Sequence, residues 1–240
     1  MSFILNPYAF GSGGGGGGGP PAFVGGTSGN FINGGGGSIS LTSLSGGLAS
    51  APAEDDIVIV CLGLGTQSLR NVSCSFGTLI ATLSSDDSFD SVFHARYKIM
   101  TSSPDTSISV TGTGNVTDSL GYAVHVWRNI DTTTPLDVAA TTATDINGAV
   151  PNPPSITPVT AGAIIVAMGG AGGGTLSNLT NPGSVTNFFQ GWGADTQDGT
   201  AGIYSYESWT SGAYDPPAFG GGGGGGTSAW CACTIALRPA

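Results

Sequence analysis

The sequence predicts an all-β fold, a β-sandwich of jelly-roll-like type with a glycine-rich N-terminal arm. Three observations carry this. About a dozen short stretches alternate polar and apolar residues or run as β-branched blocks, the patterns of half-buried and fully buried strands. Turns rich in Gly, Pro and Thr separate them, as in sandwiches and barrels. No stretch shows the 3.6-residue periodicity of a helix of normal length. The expected organisation is a docking peptide at 1–12, a glycine-rich arm at 13–37 and the sandwich at 38–240, with a second glycine run at 220–226.

Taken in order, Ser38 to Leu44 alternates as a half-buried strand. Ile57 to Leu62 is continuous and β-branched, a central strand buried on both faces. Val72, Cys74 and Phe76 alternate with polar residues, and Thr78 to Leu83 gives another strand. From Ser91 to Met100, Phe93, Ala95, Tyr97 and Ile99 line one face and His94, Arg96 and Lys98 the other. That basic face is expected to pair with the chain's own aspartates. Thr106 to Thr111 and Leu120 to Trp127 follow, the latter with Tyr122, Val124 and Val126 opposite Ala123, His125 and Trp127. Residues 132–160 hold Pro151, Pro153, Pro154 and Pro158 and read as an excursion along a sheet edge, where proline is tolerated. Ala161 to Met168 returns as a buried strand, and Gly169 to Asn187 reads as a glycine-rich loop. Phe188, Phe189 and Trp192 form either an exposed aromatic group or ordinary core. Gly202 to Thr210 and Ser228 to Leu237 complete the sandwich.

Two runs of seven glycines frame the chain, and each adjoins the tetrapeptide PPAF. Gly13–Gly19 precedes Pro20 to Phe23, and Gly220–Gly226 follows Pro216 to Phe219. Glycine loses more backbone entropy on ordering than any other residue, so the plain reading is a flexible linker. The alternative is a closely packed, extended run whose amides bond to neighbours. On that reading the two runs lie side by side or meet their counterparts in other subunits.

Charged residues make up 8% of the chain and the formal charge is −10. An ordinary soluble domain carries about 25% charged residues, so this composition suits a subunit buried in an assembly or a stable extracellular β-protein. With five basic residues the chain lacks the patch that phosphate binding needs, which argues against nucleic acid. No apolar run is long enough to span a bilayer as a helix, and Met1 to Leu5 lacks the features of a secretory signal. Cys61, Cys74, Cys231 and Cys233 read as small buried apolar residues, without the spacing of a zinc site.

No catalytic constellation stands out. His94 and His125 lie in strand interiors, no G-x-S-x-G elbow occurs, and no carboxylate pair is marked for glycoside hydrolysis. No cofactor is expected; the one candidate metal site is a calcium cluster at Asp86, Asp87 and Asp90, for which a solvated turn is the alternative. The segment 1–12, with Phe3, Ile4, Leu5, Pro7, Tyr8 and Phe10, is too short to form a core and reads as a docking peptide that buries its apolar residues in a partner or a neighbouring subunit.

The opening Phe3-Ile4-Leu5-Asn6-Pro7-Tyr8-Ala9-Phe10 is similar to the start of many tailed-bacteriophage virion proteins that carry a β-sandwich after an NPYxF-type peptide. Val126 to Asp137 and Pro153 to Pro158 also resemble sandwich domains of phage proteins, and the poly-glycine resembles that of tail-tip adhesins. The resemblance implies a structural virion protein: a tail or neck fibre or adhesin, a capsid decoration protein, or, less favoured, a tail-associated polysaccharide-degrading enzyme. Its expected partners are other virion proteins, further copies of itself (as a trimer) and a host-surface glycan. Trp192, Tyr204 and Tyr206, expected to be exposed, are the candidate sugar-stacking residues.

Overall fold

A computed structural model describes residues 18–86, 90–148, 150–173, 178–221 and 228–240. Its strands are β1 (Ala22–Phe31), β2 (Gly37–Ser40), β3 (Ile57–Thr66), β4 (Ser73–Cys74), β5 (Thr78–Ser85), β6 (Asp90–Ile99), β7 (Ser107–Thr111), β8 (Ser119–Arg128), β9 (Thr141–Gly148), β10 (Ile164–Gly173), β11 (Leu179–Thr180), β12 (Thr186–Gly193), β13 (Asp198–Tyr206), β14 (Gly220–Gly221) and β15 (Ser228–Leu237). Two five-stranded antiparallel sheets face each other, one ordered β1-β8-β3-β6-β5 and the other β12-β13-β10-β15-β9. The protein is therefore all-β, with its main sheets packed as a sandwich. Residues 22–128 fill the first sheet and residues 141–237 the second, so the chain does not weave between them as a jelly roll would.

Strand β3 is buried along its whole length, as its β-branched composition requires. Ile57, Ile59 and Cys61 face the second sheet and join Trp127, Val166, Cys233 and Ile235 in the main core. Val58, Val60, Leu62 and Leu64 face the other way, onto a second core with Ile39, Leu41, Val72, Met100 and Ile108. A small sheet, β2-β7-β4, supplies part of that cover. Each fully buried side chain of this size contributes about 1.5–3 kcal/mol, which is why the apolar positions of β3 fix both interfaces.

The bulky residues are concentrated in one half of the sandwich. At the proximal end, where Ala22, Ile57, Ile164 and Leu237 lie, large side chains hold the sheets apart. Towards the distal end, near Thr66, Ser119, Gly173 and Gly193, most facing positions are small, among them Gly63, Gly65, Ser119, Gly121, Gly170, Gly172, Gly191 and Gly199, and Phe93 packs over Gly170. A Cβ on Gly63 would stand 1.9 Å from Thr200 O, one on Gly65 1.9 Å from Asp198 O, and one on Gly121 2.2 Å from Gly191 O. Packed sheets normally stand about 10 Å apart, so here backbone touches backbone. Ser119 Oγ lies 2.6 Å from Gly193 O and 2.8 Å from Gln197 O and accepts from Gly199 N–H at 2.8 Å, which stitches the sheets across this seam.

The structure corrects two expectations. The run Gly169 to Gly173 is the second half of the central strand β10, not a loop. Gly170 and Gly172 face Gly63 and Gly65, and Gly169 lies beneath Pro151 and Phe219. The sandwich begins at Ala22 rather than Ser38, because β1 pairs with β8 and buries Phe23 and Val24. Its glycines are sites of close approach: a Cβ on Gly26 would meet Phe189 at 2.6 Å and one on Gly29 the Tyr122 hydroxyl at 2.4 Å. Residues 132–160 carry the edge strand β9 within the expected excursion.

Gly63→Ala and Gly121→Ala should each cost at least about 3 kcal/mol or prevent folding, because a backbone carbonyl occupies the space of the new methyl. Gly19→Ala, whose methyl would meet only Asn129 Nδ2 at 3.5 Å, should leave the unfolding midpoint unchanged. Urea unfolding of the three variants checks this.

Candidate functional site

A cleft of about 580 Å³ opens at the proximal end, lined by Gly18, Glu54, Asp55, Asn129, Asp131 and Ala240 among others. Strand β8 ends at Arg128, and Asn129 takes the left-handed conformation (φ 61°), which turns the chain into the cleft wall. Asparagine tolerates that geometry better than most residues. Asn129 Nδ2 donates to Pro20 O at 2.9 Å, and Asn129 O accepts from Ala240 N–H at 3.0 Å. One residue thus fastens both the chain entering β1 and the chain leaving β15.

Aspartates fix the surrounding loops. Asp56 grips Arg128 through two bonds of 2.8 and 2.9 Å and accepts from Ala53 N–H at 2.7 Å. Asp131 accepts from the amides of Thr133 and Thr134 and from the Thr134 hydroxyl, and these bonds hold its carboxyl below the usual range. Asp137 is buried, which alone would push its carboxyl up. Bonds from the Thr160 hydroxyl, the Thr160 and Val159 amides and Arg238 outweigh this and hold it down. Of the three carboxylates that line the cleft, Glu54, Asp55 and Asp131, Asp131 is engaged as an acceptor of its own loop, while Asp56 and Asp137 fix the loops beside it. The cleft wall draws on Arg128 to Thr133, where the chain leaves β8. Nothing in local pattern joins that stretch to Gly18, Glu54 and Ala240.

The expected sugar-stacking residues do not form a patch. Tyr204 is 1% exposed, packed against Phe219 with ring centroids 4.9 Å apart and donating its hydroxyl to Pro217 O. It is therefore a core residue, covered by the second PPAF tetrapeptide. Tyr206, half-buried, stacks on Tyr214 at 4.2 Å. Trp192 lies half-buried near the distal end of β12, and its indole N–H finds no acceptor among the described residues. Phe188 and Phe189 pack as core.

Of the candidate calcium ligands, Asp86 is exposed and Asp90 is buried at the start of β6, paired with Thr66; Asp87 lies outside the described residues. Among the described residues no three His, Cys, Asp or Glu side chains cluster as metal ligands. Phe3, Ile4, Leu5, Pro7, Tyr8 and Phe10 also lie outside the described residues, as does most of each glycine run. The described ends of those runs rest on different elements. Gly18 lies against Asn129 and Ala240, whereas Gly220 and Gly221 pair with Thr180 and Leu179.

On the basic face of β6, Lys98 pairs with Asp105, while Arg96 donates to Gly77 O and to His94 Nε2. His94 therefore carries its proton on Nδ1, 3.0 Å from the Thr82 hydroxyl, and burial together with Arg96 pushes its pKa down. His125 is buried among Phe23, Phe189 and Trp127 with Nε2 2.6 Å from Asn187 O. Neither histidine bonds a carboxylate among the described residues. All four cysteines are free and buried, with burial pushing the Cys231 and Cys233 thiols up to about 12.

Burial pushes His125 down to about 3. A histidine neutral in the fold and ordinary in the unfolded chain stabilises fully above about pH 6.5, and that stability drains as pH falls towards 3. The melting temperature should therefore drop between pH 7 and pH 4. His125→Phe, which keeps the aromatic cluster and removes the titration, should show a shallower drop in the same calorimetric series.

No protein-family model, curated protein or solved structure matches this chain.

Proposed function

We propose that this chain is a non-enzymatic structural protein of a bacteriophage virion, anchored by its N-terminal peptide and displaying the sandwich on the tail or neck as a fibre or adhesin. The observation that carries the reading is the route of the chain into the fold. Gly18 and Pro20 enter beside Asn129 and Ala240 at the proximal end, while loops 112–118 and 193–198 stand at the distal end. A tether at one end leaves the loops at the other free to face outward, and loops on a rigid sandwich are where recognition usually resides. The resemblance of Phe3 to Phe10 to phage virion proteins, the glycine tether behind it and the 8% charge content agree with this.

A capsid decoration protein is the second reading. It is favoured by the scattering of Trp192, Tyr204 and Tyr206 and by an uncharged flank along β5, which suits lateral contact.

The test is incorporation into particles. Tagged full-length chain should copurify with virions, and antibody to residues 38–240 should label tail or neck under the electron microscope. A chain lacking residues 1–12 should melt at the same temperature yet stay out of particles. Regular label over the head would select the decoration reading, and no label on any particle would overturn the virion assignment.

A further inference from the structure

The two main sheets have four edge strands, β1, β5, β9 and β12. On one flank β1 and β12 close against each other. Asn30 Nδ2 donates to Trp192 O at 2.7 Å, and a Cβ on Gly191 would meet Gly29 O at 2.0 Å. The opposite flank is open. There the Ser85 hydroxyl donates to Asp145 O near the distal end of β5 and β9. Farther along, Ile80, Leu83, Leu136 and Ala140 stand half-buried against the main core, and Leu79 is 48% exposed. Among the described residues, no further strand or loop hydrogen-bonds to the outer edge of β5.

Exposed strand edges recruit other strands unless lysine, proline, a bulge or a covering loop guards them. Strand β5, Thr-Leu-Ile-Ala-Thr-Leu-Ser-Ser, has no charged residue and no proline, and its one guard is a bulge between Leu79 and Ala81. We propose that β5 is a self-association edge, on which a second copy of this chain adds its own β5 antiparallel about a two-fold axis through Thr82.

Two observations select a second copy. The chain carries a formal charge of −10, so two copies repel over most of their surfaces, and β5 is an eight-residue stretch where they meet without charge. The strand is also self-complementary. Pairing centred on Thr82 sets Ala81 opposite Leu83 of the second copy and Leu83 opposite its Ala81. Small then faces large on the core side, with Ile80 buried at the rim. Such an isologous pair closes on itself, joins the first sheets of two copies into one, and leaves both proximal ends and their arms free. It makes a dimer where the sequence resemblance implied a trimer, and it stands whether or not the chain belongs to a virion.

Sedimentation equilibrium of the full chain should give twice the 23.6 kDa chain mass. Thr82→Lys places two like charges opposite each other on the axis and should give single-chain mass with an unchanged circular dichroism spectrum. Wild-type protein that stays at single-chain mass at every concentration, or a folded Thr82→Lys variant that remains dimeric, overturns the proposal. If the variant fails to fold, amide exchange in the wild type decides. Protection at residues 78–85 that grows with protein concentration supports the β5 contact, and protection independent of concentration contradicts it.

Discussion

Where Gly63 passes Thr200, Gly65 passes Asp198 and Gly121 passes Gly191, no side chain separates the two sheets. Most of the architecture depends on this contact. With backbones touching at the distal half and Trp127, Ile57 and Ile164 spreading the sheets at the proximal half, the sandwich tapers. Backbone at such close quarters cannot be left without partners, and Ser119 supplies them by bridging Gly193 O, Gln197 O and Gly199 N–H. An apolar core can relax around a lost methylene, but a carbonyl facing a glycine leaves no room for an added methyl. The seam therefore restricts sequence more tightly than the hydrophobic core does.

Three buried aspartates perform the matching task in the loops. Asp56, Asp118 and Asp137 have fully buried side chains, and each holds an arginine about one-third exposed. Each also accepts hydrogen bonds from its neighbourhood: Ala53 N–H for Asp56, the Thr113 hydroxyl for Asp118, Val159 and Thr160 N–H for Asp137. A buried ion pair of this kind costs desolvation and repays it through geometry, so it specifies loop conformation more than it adds net stability. Three of the five basic residues are spent in this way and Lys98 on Asp105, which leaves only Arg96 bonded to carbonyls and a histidine.

The strands legible in the sequence were those whose side chains report burial. β3, β6, β8 and β15 follow their β-branched or alternating patterns closely. Two of the unread elements are glycine-rich: β1 inside the supposed arm and the second half of β10 inside a supposed loop. Glycine carries the same letter whether it supplies freedom or permits contact, and only the facing sheet distinguishes the two. Tyr204 shows the same limit. It lies on the face of β13 opposite Ile203, and its cover, Phe219, comes from a distant segment. The proximal cleft joins Gly18, Asp55, Asn129 and Ala240, and no local pattern connects those positions. Both PPAF tetrapeptides proved to be anchors, with Phe23 in the main core and Phe219 on the outer face of the second sheet.

The central claim is that the glycine seam is a rigid, dehydrated contact. Amide hydrogen exchange followed residue by residue tests it most directly. If the sheets touch as described, the amides of Gly63, Gly121, Gly170 and Gly199 exchange only on global unfolding, as slowly as those of Ile59 and Val166. Exchange of these glycines by local opening, well ahead of the proximal core, would mean that water reaches the space between the sheets and would contradict the account.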